Sequence, residues 1–168
     1  LLKTYRNNWM KKNNNDNIDK QIIESLNFKK RGDLIKAEYI LKVVLKNDPN
    51  NFIALNNLGN IYSERNNLKK AKFFFLKAIK IKKNYSNAIF NLALVNEEMG
   101  NKNDAAKLYK DAIKYDPTNL GFYHSLSRID ETIFSSNNIS YIKRILENKT
   151  CSNFNKSSGF FILAKDQR

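Results

Sequence analysis

The chain repeats itself every 34 residues, and no other feature constrains its fold as much. From Ile18 to Asn51 the order runs Gly32, Asp33, Leu34, Ala37, Leu41, Val44, Pro49. From Phe52 to Tyr85 the same offsets hold Asn66, Asn67, Leu68, Ala71, Phe75, Ala78 and Lys83. From Ser86 to Asn119 they hold Gly100, Asn101, Lys102, Ala105, Tyr109, Ala112 and Pro117. Three frames in register, without insertion or deletion, are hard to obtain by chance.

Each frame reads as two helices joined by a tight turn. Inward residues of the second helix step by three, four and three, which keeps them on one face: Leu34, Ala37, Leu41, Val44, then Leu68, Ala71, Phe75, Ala78. The turn before it holds Gly32, Asn66 or Gly100, residue types that adopt positive φ at least cost. Asp33, Asn67 or Asn101 follows, each suited to accept a backbone N–H as N-cap. Pro49 and Pro117 stand where the second helix has to stop. Ala71, Ala78 and Gly59 let helix axes approach, and Leu58, Tyr62 and Phe75 fill the space so created.

Composition supports an ordered core and narrows the chemistry. With 168 residues, 42% of them apolar and 12% aromatic, there is material for one domain or a short repeat array. Apolar runs such as Phe73 to Leu76 and Phe160 to Ala164 fall far short of the roughly 20 residues that cross a bilayer. The first residues lack an apolar signal core, and the single Cys151 cannot form an internal disulfide; a cytoplasmic chain with no membrane insertion is expected. The net charge of +14 raises a nucleic-acid reading, but the lysines are scattered among asparagines and read as a solvated basic surface. No Gly-rich phosphate loop or metal-spaced cluster occurs, His124 is the only histidine, and Asp130 with Glu131 reads as a solvated helix face. No catalytic residue, metal or cofactor is expected.

The second frame resembles the tetratricopeptide repeat, with Leu55 in the Trp place, then Leu58, Gly59, Tyr62, Ala71, Phe75 and Ala78. The third matches through Ile89, Leu92, Ala93, Ala105, Tyr109, Ala112 and Pro117, with Asn96 for the aromatic. In the first, Gln21 and Glu24 occupy places expected to be apolar. The resemblance implies an all-α fold, a right-handed superhelix of helix hairpins, with repeats at 18–51, 52–85 and 86–119 after an N-terminal extension, 1–17. Over 120–149 a degenerate fourth unit or capping helices is expected: Tyr123, Leu126 and Ser127 hold the Trp, Leu and Gly places of a first helix. An amphipathic helix through Tyr141, Ile142, Ile145 and Leu146, capped by Asn138 or Ser140, follows. Over 150–168, Phe160, Leu163 and Ala164 show first-helix spacing with no second helix to pack on, which reads as part of a longer protein.

The family's usual ligand is an extended peptide or partner protein held on the concave wall made by the first helices. Its groove positions project onto Ile53, Asn56, Asn57, Asn60 and Glu64; onto Asn87, Phe90, Asn91, Leu94 and Glu98; and onto His124, Ser125 and Arg128. Asn57 and Asn91 stand at equivalent places, and a carboxamide there offers donor and acceptor together to a peptide backbone. The cations that family members use to clamp a chaperone's carboxylate tail are missing: those places hold Ile22, Leu26, Asn57, Asn87 and Asn91. Two other readings stay open: the N-terminal array of a larger transferase, of sulfotransferase or glycosyltransferase type, where the run Tyr123 to Asp130 resembles bacterial arrays that precede a sulfotransferase, and nucleic-acid binding by the basic face.

Overall fold

A computed structural model describes residues 17–148 and 150–167, and every regular element among them is helical. Leu1, Leu2, Tyr5, Trp9 and Met10, which in sequence read as either a packing helix or an extension, lie outside the described residues. The first helix, α1, covers 17–30. It is followed by α2 (Leu34–Asn47), α3 (Phe52–Glu64), α4 (Leu68–Ile81), α5 (Ser86–Glu98), α6 (Lys102–Tyr115) and α7 (Leu120–Leu126). After a 3-10 turn at Glu131–Phe134 come α8 (Ser136–Glu147) and α9 (Asn153–Asp166). The chain divides into two compact units, one ending at Lys82 and the other beginning at Lys83.

The 34-residue period is written into the backbone of the turns. Gly32, Asn66 and Gly100 have φ of 81°, 56° and 83°. Asp33, Asn67 and Asn101 each send their N–H back to the carbonyl five residues earlier, on Phe28, Tyr62 and Asn96, at 3.0, 2.8 and 2.8 Å. Gly32, Asn66 and Gly100 close the inner bond to Lys29, Ser63 and Glu97. This pairing satisfies carbonyls that a helix end would otherwise leave open, and it requires a left-handed residue at its centre. Asp33 and Asn67 then cap the next helix, accepting from Lys36 and Lys70 N–H at 3.0 and 3.1 Å. Asn101 sits at the same place without a side-chain capping bond. The second helices all stop alike: Asp48, Lys82 and Asp116 turn extended, with φ from −124° to −141°. Pro follows two of these stops and Lys83 the third, so the proline reinforces a stop it does not create.

In the first unit Ile18 and Ile22 of α1, Ala37, Leu41 and Val44 of α2, and Ala54, Leu58 and Ile61 of α3 form one core. Burying each Leu or Ile there stabilises the fold by roughly 1.5–3 kcal/mol. α1 solves its misplaced polar residues by register: Ile18, Ile22 and Ser25 turn inward and Glu24 stays in water. Gln21 Oε1 is left buried with no partner among the described residues.

The second unit departs from the repeat after α6. A first helix was expected to run through 120–134, but α7 stops at Leu126, because Ile129 bonds to the carbonyl three residues back and Asp130 caps the following turn through Thr132 N–H at 2.9 Å. Neither Asn138 nor Ser140 caps α8; Ser135 does, accepting from Asn138 N–H. α9 is not left without a neighbour. It packs chiefly on α7 and turns Ser158, Gly159 and Ile162 inward, while Phe160 is 61% exposed. Asn155 of α9 accepts from Leu120 N–H at 3.0 Å and donates to Thr118 O at 2.9 Å, which closes the start of α7. Lys165 donates to Ser127 O at its other end.

Candidate functional site

The sequence-derived site residues lie on first helices, except Arg128 in the turn after α7, and each unit carries its own set. In the first unit they all stand on α3. The capping of that helix by Asn51, which accepts from Ala54 N–H at 2.9 Å, sets the phase of the whole face. Ile53 is 36% exposed, whereas Asn56 and Asn57 retain only 5% and 7%. Asn60 is partly exposed beside them. The Asn57 side chain is more than nine-tenths buried, but among the described residues only Gln21 Oε1 is an enclosed polar side-chain atom without a partner, so the Asn57 carboxamide, with two donors and one acceptor oxygen, still reaches water.

Glu64, at the end of the same helix, is already engaged. Its carboxylate pairs with Lys29 of α1 at 2.7 Å and ties the two first helices of the unit together. Ile22 is buried and Leu26 partly buried in the core, so α1 presents no cation at the places where a carboxylate clamp would need one.

In the second unit α5 contributes Asn87, Phe90, Asn91, Leu94 and Glu98, and α7 contributes His124. Phe90 stacks on Phe122 of α7 with centroids 4.7 Å apart and tilts against Tyr109 at 5.5 Å. Leu94 also packs on the unit's core, so both are the half-buried floor of a face. Asn87 and Glu98 are exposed, and Asn91 is half-buried. Arg128 follows α7 and pairs with Glu97 at 3.0 Å; the same carboxylate accepts from the Tyr109 hydroxyl at 2.6 Å. Burial first, then that bond to Glu97, pushes the Tyr109 hydroxyl well above the usual tyrosine range. His124 meets Phe161 of α9 edge-on at 4.4 Å. Its burial, and then the charges of Arg128 and Lys165, pull the imidazole below its ordinary value, so it is neutral near pH 7.

Lys29, Glu97, Phe122 and Phe161 were not singled out from sequence. Lys29 and Glu97 carry no repeat-specific signal, and Phe161 reaches His124 only because α9 folds back on α7. Among the described residues no group of three or more His, Cys, Asp or Glu side chains could hold a metal ion, and no helix is long and apolar enough to cross a membrane.

Family models of the tetratricopeptide repeat match residues 40–73 and 86–119. The first match runs from within α2 through α3 into α4, and the second covers α5 and α6 with the turns that bound them. Among solved structures, an O-GlcNAc transferase mutant from Thermobaculum terrenum superposes with a TM-score of 0.67 at 17% identity, over 79% of this chain and 26% of that one. The first repeat domain of Spaghetti (RPAP3), bound to an HSP90 peptide, gives 0.65 at 17% identity, over 70% and 96%. The Sgt2 repeat domain from Aspergillus fumigatus gives 0.64 at 24% identity, over 72% and 82%. The chain thus spans about a quarter of the transferase and most of each of the two isolated domains. No curated protein matches it in sequence.

Proposed function

We propose, from the premise that this chain belongs to the tetratricopeptide-repeat family, that it is an interaction module holding an extended segment of a partner protein against the first helices of its hairpins. The observation that carries this reading is Asn57, a largely buried residue of α3 whose carboxamide still reaches water and is open to a ligand. An extended backbone offers one N–H and one carbonyl per residue, the groups a carboxamide pairs with regardless of side chain. Affinity then comes mainly from apolar contact, supplied by Ile53 where the first unit binds and by the Phe90 and Leu94 floor where the second does.

The HSP90 peptide bound by the RPAP3 domain ends in an acidic run. Ile22 and Leu26 leave α1 without a cation to meet such a tail, so the segment proposed here is recognised through its backbone and apolar side chains. The test is capture from a display of extended peptides on the full chain at low and moderate salt. The chain should retain neutral apolar peptides at both salts, and Asn57→Ala and Asn91→Ala should each weaken that retention about two- to tenfold. Retention of acidic-tailed peptides alone, released by salt, would refute this reading.

A further inference from the structure

The outward faces of α2 and α4 carry a second surface, unrelated to the first helices. The register that buries Ala37, Leu41 and Val44 turns Ile35 and Tyr39 to solvent, 77% and 69% exposed. On α4 the register that buries Ala71, Phe75 and Ala78 turns out Phe73 and Leu76, 51% and 48% exposed. Tyr39 and Phe73 are repeat equivalents, 34 residues apart. Lysines surround them: Lys46, Lys69 and Lys80 have no acidic partner among the described residues, α4 contains no acidic residue, and the only carboxylate of α2, Glu38, is consumed by Lys42, Tyr62 and Arg65. α6 supplies the internal control. Its residues at the Lys69, Phe73 and Leu76 places are Asn103, Lys107 and Lys110, all polar.

We infer that this face of the first unit rests on an anionic lipid surface. Charge complementarity requires a negative partner, and the shape of the face selects among negative partners. A partner helix binds apolar anchors through a groove, whereas side chains left 69–77% exposed on α2 protrude. A lipid interface accepts protruding apolar and aromatic groups among its headgroups while lysines meet the phosphates. Base stacking by single-stranded nucleic acid fits less well. The Phe73 ring has Lys77 Nζ over its face at 4.5 Å and meets Phe74 edge-on at 5.3 Å, and Ile35 and Leu76 cannot stack. This attachment involves side chains at the headgroup level only, consistent with the absence of a membrane-crossing helix among the described residues.

The test is flotation of the full chain with vesicles of phosphatidylcholine alone or of phosphatidylcholine mixed with phosphatidylserine. The chain should float with the mixed vesicles and not with the neutral ones. Lys69→Gln with Lys80→Gln should lower partitioning about thirtyfold, at near 1 kcal/mol per lysine. Tyr39→Ser with Phe73→Ser should remove the binding that survives added salt, Phe73→Leu should keep it, and Asn57→Ala should float like the native chain. All these positions but Asn57 are exposed, and circular dichroism checks that each variant stays helical. No flotation with phosphatidylserine at low salt, flotation indifferent to the lysine and aromatic variants, or displacement from vesicles by oligodeoxythymidine at equal charge would overturn the inference.

Discussion

Gly59 lies so close to Phe75 that a Cβ at position 59 would fall 2.6 Å from the ring's Cδ1 and 2.8 Å from its Cζ. The contact sets the distance between α3 and α4. Helix propensity alone would favour Ala over Gly by about 1 kcal/mol in mid-helix, and overpacking a buried ring costs about 1–3 kcal/mol. Gly59→Val is therefore expected to destabilise the chain by about 2–3 kcal/mol in denaturant unfolding. Adding Phe75→Leu should recover part of that loss, since the smaller side chain vacates the space the valine enters.

Glu38 gathers three donors: Tyr62 Oη at 2.6 Å, Lys42 Nζ at 2.7 Å and the Arg65 guanidinium. Burial works against its charge, but the bonds to Lys42, Tyr62 and Arg65 outweigh it and hold the carboxyl at about 2, against an ordinary 4.5. A depressed folded value stabilises the fold above the unfolded one and ceases to do so as pH falls through the window from 4.5 to about 2. Allowing for screening of its exposed lysine, the contribution is on the order of 2 kcal/mol. Thermal unfolding between neutral and strongly acid pH should show native stability falling across that window. Glu38→Gln should be less stable at pH 7 and flatter below it.

The three left-handed turn residues are not equivalent chemically. Asn66 holds φ of 56° at a cost that glycine avoids. Asn66→Gly is expected to be neutral or slightly stabilising, while Asn66→Val and Gly100→Ala should each cost about 1–2 kcal/mol in the same unfolding assay. Equal stability of Asn66→Val and the native chain would contradict the turn geometry.

The hairpins could be read from sequence because each position in the repeat does one physical job, whether small at a helix crossing, left-handed in a turn, or capping. Gly32, Asn66 and Gly100 announce their φ by residue type. The end of the chain could not be read that way. α7 stops at Leu126 and is closed by Asn155 and Lys165 from α9, contacts between residues 35 and 38 apart that no local pattern encodes. One signal was present: Gly159 lies where a Cβ would meet Leu146 and Leu120 at 2.8 and 2.9 Å, so Ser158 and Gly159 mark the close face of α9 better than Phe160 does. For the site, register placed Asn57 and Asn91 on first helices. It could not foresee that Glu64 and Arg128 are taken by Lys29 and Glu97, because ion-pair partners on neighbouring helices follow no period.

Asn57 carries the central claim, because its carboxamide reaches water from an otherwise buried place on α3 and is open to a peptide backbone. The most direct measurement pairs thermal unfolding with calorimetric titration of a captured extended peptide, for the native chain and for Asn57→Ala. The account predicts a melting temperature unchanged or raised and an affinity lowered about two- to tenfold, the worth of one net hydrogen bond. Unchanged affinity with a lowered melting temperature would make Asn57 a packing residue and contradict the account.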